Sequence, residues 1–298
     1  MKYLVTGGAG FIGSNLVEAL VNKGHEVIVL DNLHTGDINN LAEIKVNIIF
    51  NKNMTIDPSL DVDGIFHLGM PSSSFMYKEN PWLVGEAINN AISVFEFAKL
   101  KKCKVVFASS SSVYNGLEPP HMESMVIKVR DYYTETIHEV ERIAELYQKL
   151  FSVQSVGLRF FSVYGKNETF KGKYANIITQ FLWIMKANKK PVVYGDGAQT
   201  RDFIYVDDVV TACILAMHSH VSFDVFNVGT GRMTSFNTII GLINKVLGKS
   251  ITAEYEPNFI KNYVTCTQAD TTKAKNALGF EAKTLLEKGV ERIVSIYL

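Results

Sequence analysis

The chain has 298 residues, 47% of them hydrophobic, with 30 basic and 30 acidic side chains and no formal net charge. That balance gives no sign of a nucleic-acid footprint or of an electrostatic pull toward anionic membrane, and the length is enough for one large core or two lobes. Cys103, Cys213 and Cys266 lie far apart without metal-ligand spacing, so they read as thiols of a reducing, cytoplasmic compartment and no metal site is expected.

Lys2-Tyr3-Leu4-Val5-Thr6 is a run of strand formers that starts too early to leave room for a leader. Gly7-Gly8-Ala9-Gly10-Phe11-Ile12-Gly13 follows at once. Leu16, Val17, Leu20 and Val21 then recur at helical spacing up to Lys23-Gly24. Val27-Ile28-Val29-Leu30 reads as a second strand, ending at Asp31. Strand, glycine loop, helix, strand and acid make the first unit of a dinucleotide-binding fold. Gly7, Gly10 and Gly13 allow a tight turn and a close approach of backbone to a pyrophosphate. The helix opening at Phe11 and Ile12 offers unpaired N–H groups to the phosphates. Asp31 can accept hydrogen bonds from a ribose diol and would repel a 2′-phosphate. The polar turn Asn32-Leu33-His34-Thr35-Gly36-Asp37 ends in an acid where a 2′-phosphate binder would place a base. NAD is therefore favoured, with Asn32, Thr35 and Gly36 beside it.

The Gly-x-x-Gly-x-x-Gly spacing after Thr6 resembles the extended short-chain dehydrogenase/reductase family, whose best-known members are NAD-dependent nucleotide-sugar epimerases. The resemblance spans nearly the whole chain. It implies an α/β fold, a Rossmann-type doubly wound parallel sheet with a smaller C-terminal substrate lobe. The expected division is a NAD-binding domain over 1–165 and a substrate lobe over 166–298, with 203–231 returning to the sheet.

Val46 to Phe50 reads as the third strand. Asn53-Met54 stands where the family has an acid and an aliphatic residue beside the adenine, and Asn53 keeps a hydrogen-bonding group there. Gly64 to Leu68 is the fourth strand, and Leu68-Gly69-Met70 resembles the family's small turn under the cofactor. Pro71-Ser72-Ser73-Ser74 then replaces a lysine contact. His67, ending a buried strand, reads as a hydrogen-bonded core residue. Trp82 to Lys101 has a helical apolar face, with Ala87 at the position of a family asparagine and Asn89 and Asn90 close by.

Lys104 to Ala108 is the fifth strand, leading into Ser109-Ser110-Ser111-Ser112-Val113-Tyr114 at a parallel-strand carboxyl end, where open α/β sheets bind ligands. By resemblance Ser110 is the catalytic hydroxyl. Ser111 and Ser112 stand where sugar-nucleotide dehydratases carry an Asp-Glu pair, which argues against dehydration.

Asp131 to His138 occupies the place of the family's Tyr-x-x-x-Lys. Glu141 and Arg159 fix the register, so the resemblance makes Tyr133 the catalytic tyrosine, which also touches the cofactor, and puts Ile137 where the lysine belongs. Shifting to Tyr132 gives Thr136 instead, and no tyrosine in the chain has a lysine four residues later. A free phenol titrates near about 10. A cation at about 4 Å stabilises its anion by roughly 4 kcal/mol, or roughly 3 pKa units. On a helix His138 points roughly 140° away from Tyr133, so it is a poor substitute. Lys128 and Arg130, just before the helix, are the remaining nearby cations. A weakened or altered site, or an unusual cation donor, is expected.

Val153 to Arg159 is the sixth strand. Leu158-Arg159-Phe160-Phe161-Ser162-Val163-Tyr164-Gly165 is similar to an epimerase segment, placing Phe161 near the nicotinamide and Ser162 where an asparagine touches substrate. Tyr174 to Lys186 reads as a helix. Tyr194 to Val209 is a specific match to sugar-nucleotide enzymes, in which Arg201 would grip the substrate diphosphate. An ion pair of Arg201 with Asp202 or Asp208 is the structural alternative. Ser235 and Gly248 bound a helix over 236–247. Lys261 stands near a second family arginine and can supply a charge.

These expectations point to a nucleotide-sugar 4-epimerase, with a UDP-hexose as partner and a homodimer built from the helices starting near Trp82 and Tyr133. Two alternatives stay open: a nucleotide-sugar reductase or oxidase that exchanges its cofactor, and a weakly active NAD-binding sensor or assembly protein.

Overall fold

β-Branched and aromatic runs separated by helices of 3.6-residue period assemble here into one parallel sheet. The structure, a computed structural model, describes residues 1–51, 55–259 and 263–297. The opening unit is β1 (Lys2–Thr6), α1 (Phe11–Asn22), β2 (Glu26–Asp31), β3 (Asn47–Phe50) and β4 (Gly64–His67). After it come α2 (Ser74–Glu79), α3 (Leu83–Lys101), β5 (Lys104–Ser110), α4 (Tyr132–Phe151), β6 (Ser155–Phe160) and β7 (Ser162–Tyr164). The later part holds α5 (Ile177–Lys186), β8 (Val192–Tyr194), β9 (Thr200–Arg201), β10 (Phe203–Tyr205), α6 (Val206–His218) and β11 (Phe223–Val228). It closes with β12 (Thr234–Ser235), α7 (Phe236–Leu247), β13 (Glu254–Glu256), α8 (Thr272–Leu278) and α9 (Leu286–Tyr297).

Among the described residues the main sheet has seven strands in the order β11-β6-β5-β4-β1-β2-β3. Val5 of β1 sits opposite Val29 of β2 on one side and Phe66 of β4 on the other, both pairings parallel. The order reverses between β1 and β4, so the loops after these strands diverge and leave a crevice at their carboxyl ends.

Alternation along β1 explains why both faces are covered. Tyr3 and Val5 face α1 and α6 in a core with Leu16, Leu20, Val209 and Ala216. Leu4 faces the other way, with Ala91, Phe95 and Ala98 of α3 and Val140 and Ala144 of α4. A further apolar cluster joins Ile178 and Phe181 of α5, Ile239 and Ile243 of α7 and Ile293 of α9 to Tyr164, Phe203 and Phe11. Of residues 203–231, β11 joins the main sheet beside β6, α6 packs on it, and β10 pairs with β7 in a ribbon of its own.

Two helix boundaries follow from side-chain caps. The side chain of Ser235 accepts the N–H of Thr238, and Gly248 ends α7 at φ +65°. α5 begins at Ile177 rather than Tyr174, because the side chain of Asn176 caps it by accepting the N–H of Ile178. Among the described residues no helix is long and apolar enough to cross a membrane, and no His, Cys, Asp or Glu cluster could hold a metal ion.

Candidate active site

The crevice between β1 and β4 opens into a cavity, and the glycine loop is its floor. Gly7 turns at φ +68°, and a Cβ there would sit 2.6 Å from the Cα of Gly69, so only glycine lets the two loops meet. A Cβ on Gly13 would sit 2.0 Å from the carbonyl oxygen of Gly7, which is why α1 can start so close to the loop. α1 has no side-chain cap, and its first intrahelical bond runs from the N–H of Ser14 to Gly10. The N–H groups of Phe11, Ile12 and Gly13 are left for an anion. Gly7, Gly10, Phe11, Ile12 and Gly13 all line the cavity.

Asp31 ends β2 almost fully buried. One carboxylate oxygen accepts the N–H of Ala9 at 2.9 Å and the other that of Leu33 at 2.7 Å. It thereby ties the glycine loop to the turn after β2, with lone pairs to spare for a diol. Asp31, Asn32, Thr35 and Gly36 line the cavity. Asp37 instead caps the short helical turn Ile38–Leu41 by accepting the N–H of Asn39. These donors and acceptors fit a dinucleotide, with backbone for the pyrophosphate and Asp31 for the ribose.

Leu68 and Gly69 form the adjacent wall, continued by Met70, Pro71 and Ser72. The hydroxyl of Thr6 accepts the N–H of Gly69 at 3.2 Å and lies 2.7 Å from Nδ1 of His67. Burial drives the His67 imidazole down to about 4. A neutral histidine off the cavity lining holds this turn. Of the two asparagines near Ala87, Asn90 lines the cavity and Asn89 does not. Asn53, Met54 and Lys261 lie outside the described residues.

Ser110 and Tyr133 face the same cavity. The Ser110 hydroxyl accepts the N–H of Ser112 at 3.1 Å and lies close enough to the Tyr133 phenol to act on its titration. Asp131 places Tyr133 by capping α4: one oxygen accepts the N–H of Thr134 and the other the hydroxyl of Ser74. Burial raises the Tyr133 phenol above the usual tyrosine range; the nearby Ser110 hydroxyl pulls it down, and the charge of Asp131 pushes it up. Ile137, one turn later, lines the cavity and packs with Val113, Tyr114, Phe161 and Ala269. Neither Lys128 nor Arg130 lines it. Arg130 instead lies against Gly116, where a Cβ would meet the guanidinium carbon at 2.4 Å.

Glu141 and Arg159 hold the serine loop from behind. Arg159 donates from Nε and Nη2 to the two oxygens of Glu141 at 2.8 and 2.7 Å. Ser109 donates to Glu141 at 2.6 Å, and Arg159 donates from Nη1 to the Tyr114 hydroxyl, which donates to Asn227. Burial alone would raise the Glu141 carboxyl. The bonds from Arg159 and Ser109, with the guanidinium charge and the His138 imidazole 4.0 Å away, outweigh it and hold the carboxyl at about 2.

Phe161 lines the cavity with its ring stacked on Tyr114, centroids 6.2 Å apart. Ser162 is off the lining and accepts a hydrogen bond at 3.0 Å from Asn176, which is on it. Arg201 is also off the lining. Its guanidinium donates to the Thr200 carbonyl and lies over the rings of Phe236 and Tyr263. It has no ion pair with its two acidic neighbours. Asp202 accepts the N–H groups of Thr230, Gly231 and Ala269, and Asp208 those of Lys283 and Thr284.

Sequence reasoning missed one wall, formed by Lys171, Tyr174 and Asn176. The Gly165 that ends the recognised segment precedes them by a few residues, and the irregular turn Thr169–Tyr174 gives no periodic signal. Tyr174 is fixed by donating to Glu79 of α2 at 2.7 Å.

Residues 3–229 match the model of the NAD dependent epimerase/dehydratase family. A UDP-glucuronate 4-epimerase from Thermodesulfobacterium geofontis is 32% identical, over 98% of this chain and 95% of its own length. UDP-glucuronic acid decarboxylase 1 of Arabidopsis thaliana is 33% identical, over 99% of this chain and 69% of its own. The structure of a UDP-N-acetylglucosamine 4-epimerase from Methanobrevibacter ruminantium M1, in complex with UDP-N-acetylmuramic acid, superposes with a TM-score of 0.94. It is 29% identical and covers 99% of this chain and 97% of its own.

Proposed function

Because the chain belongs to the NAD dependent epimerase/dehydratase family, we propose that it is a nucleotide-sugar 4-epimerase acting on a UDP-hexose of the glucose/galactose type. The single observation that carries this is the shared cavity of the glycine loop, Ser110 and Tyr133. NAD, when bound, supplies reversible hydride acceptance at C4 of the sugar. Asp31, with the N–H groups that open α1, holds it in place. Tyr133 takes the C4 hydroxyl proton as the carbon is oxidised and returns it after the keto sugar has turned over. Ser110 donates to the same oxygen and steadies its developing charge. Phe161 keeps water from the reacting carbon, and holding the partners in register supplies much of the rate. Ser162 and Arg201 border the substrate, with Arg201 on its diphosphate; a shift of Arg201 on binding is part of this reading.

Residues 1–165 serve as the NAD-binding domain and 166–298 as the substrate lobe, with 203–231 returning to the NAD-binding sheet through β11 and α6. The working form is a cytoplasmic homodimer through α3 and α4, supported by the exposed Leu100 on α3 and Leu146 and Leu150 on α4.

The test incubates the protein with NAD and UDP-galactose. UDP-glucose should form without an added oxidant or reductant and without net loss of NAD. The weakly active NAD-binding sensor has support in Ile137, which leaves the phenol without a neighbouring cation on α4. A cofactor-exchanging oxidoreductase or a weakly active NAD-binding sensor would then show one-to-one loss of NAD or no turnover. UDP-glucuronate belongs in the same assay, since a 4-keto uronic acid is a β-keto acid and loses carbon dioxide readily.

A further inference from the structure

The cavity is lined by two carboxylates, Asp31 and Glu86, yet a bound dinucleotide and a nucleotide-sugar would each bring a doubly charged pyrophosphate into it. Lys171 is its one lysine or arginine among the described lining residues. Its position is set from both sides. Before it, the Glu168 carboxylate is buried and occupied, accepting from the hydroxyl of Thr179 and from the N–H groups of Asn176 and Gly165. After it, Gly172 turns at φ +51° and Tyr174 is bonded to Glu79. Held between these anchors, the Lys171 ammonium lies 5.4 Å from the centre of the Phe11 ring, at the first residue of α1. Among the described residues no carboxylate lies within 4.0 Å of it, although Glu168 is near enough to oppose the lowering of its pKa by burial. A half-buried ammonium without an ion pair, beside the free N–H groups of a helix start, is matched by an anion from outside the chain.

We propose that Lys171 is a ligand-binding residue of this cavity, closing over a pyrophosphate oxygen opposite the start of α1. The inference rests on the reading of this cavity as a dinucleotide and nucleotide-sugar site.

Calorimetric titration of the full chain with NAD and, separately, with UDP tests it, comparing wild type with Lys171→Met and Lys171→Arg. Methionine keeps the stem that packs on Phe11, and a melting curve for each variant reports folding. Loss of one charged hydrogen bond predicts weakening of at least about tenfold in Lys171→Met, with most of the affinity kept in Lys171→Arg. Weakening of NAD alone assigns the residue to the cofactor, and weakening of UDP alone assigns it to the nucleotide-sugar. A change below about threefold for both ligands in a folded Lys171→Met overturns the proposal. Wild type that binds neither ligand overturns the reading of the cavity itself, and this proposal with it.

Discussion

Tyr133 and Ile137 stand one turn apart on α4 and line the same cavity. The phenol therefore has an aliphatic neighbour at the position where its family places an ammonium. With burial raising its pKa, little phenolate exists near neutral pH, and turnover should climb as the pH rises.

Restoring the charge tests that relationship. Ile137→Lys should shift the rising limb of kcat against pH down by roughly 2–3 units and raise turnover at neutral pH. The same change puts an ammonium among Val113, Tyr114 and Phe161, so the melting temperature should fall. A pH–rate profile beside a thermal melt reads both effects.

Tyr133→Phe and Ser110→Ala remove groups that act on the sugar oxygen, while the ring of Tyr133 that borders the cofactor is kept. Each should lower kcat by about 10²–10⁴ while the dissociation constant for NAD stays near that of wild type. Steady-state kinetics with calorimetry separates the two effects.

The Asp31 carboxylate spends one bond on Ala9 and one on Leu33 and still faces the cavity. NADP should bind at least about tenfold more weakly than NAD, because a 2′-phosphate meets that charge. Asp31→Asn should narrow the gap and loosen the glycine loop. Competitive titration of the two cofactors measures this.

Acid should unfold the protein in two overlapping windows. The His67 imidazole titrates at about 4 in the folded chain against 6.5 unfolded, so below pH 6.5 only the unfolded chain gains its proton. Stability falls from there to about 4, by on the order of 3 kcal/mol. Glu141 behaves likewise between 4.5 and about 2, as its bonds from Arg159 and Ser109 are lost on protonation. Urea midpoints should be flat above pH 7 and decline through both windows. A folded His67→Gln variant should lose the upper one.

The strand, glycine loop and helix at the start were legible because each has a local signature: an unbroken run of strand formers in β1, buried on both faces, glycines where a Cβ cannot fit, and a 3.6-residue stripe in α1. Ser235 and Gly248 announced α7 for the same reason, since capping is local chemistry. Glu141 and Arg159 were legible as register marks, but their partnership with Ser109 and Tyr114 needs strands distant in sequence to be brought together. Lys171 was not legible. Its segment has no period, and the turn that carries it is anchored by a carboxylate three residues earlier that is bonded to α5. Arg201 was legible as a motif but not as a position, since its stacking on Phe236 and Tyr263 is set by the fold of the later half.

The most direct measurement follows a deuterium placed at C4 of UDP-galactose through many turnovers with catalytic NAD. If Tyr133 and Ser110 serve a transient oxidation at that carbon, UDP-glucose will form with the label still on C4. Product whose label has washed out into water, or conversion that stops after one equivalent of NAD, would contradict the account.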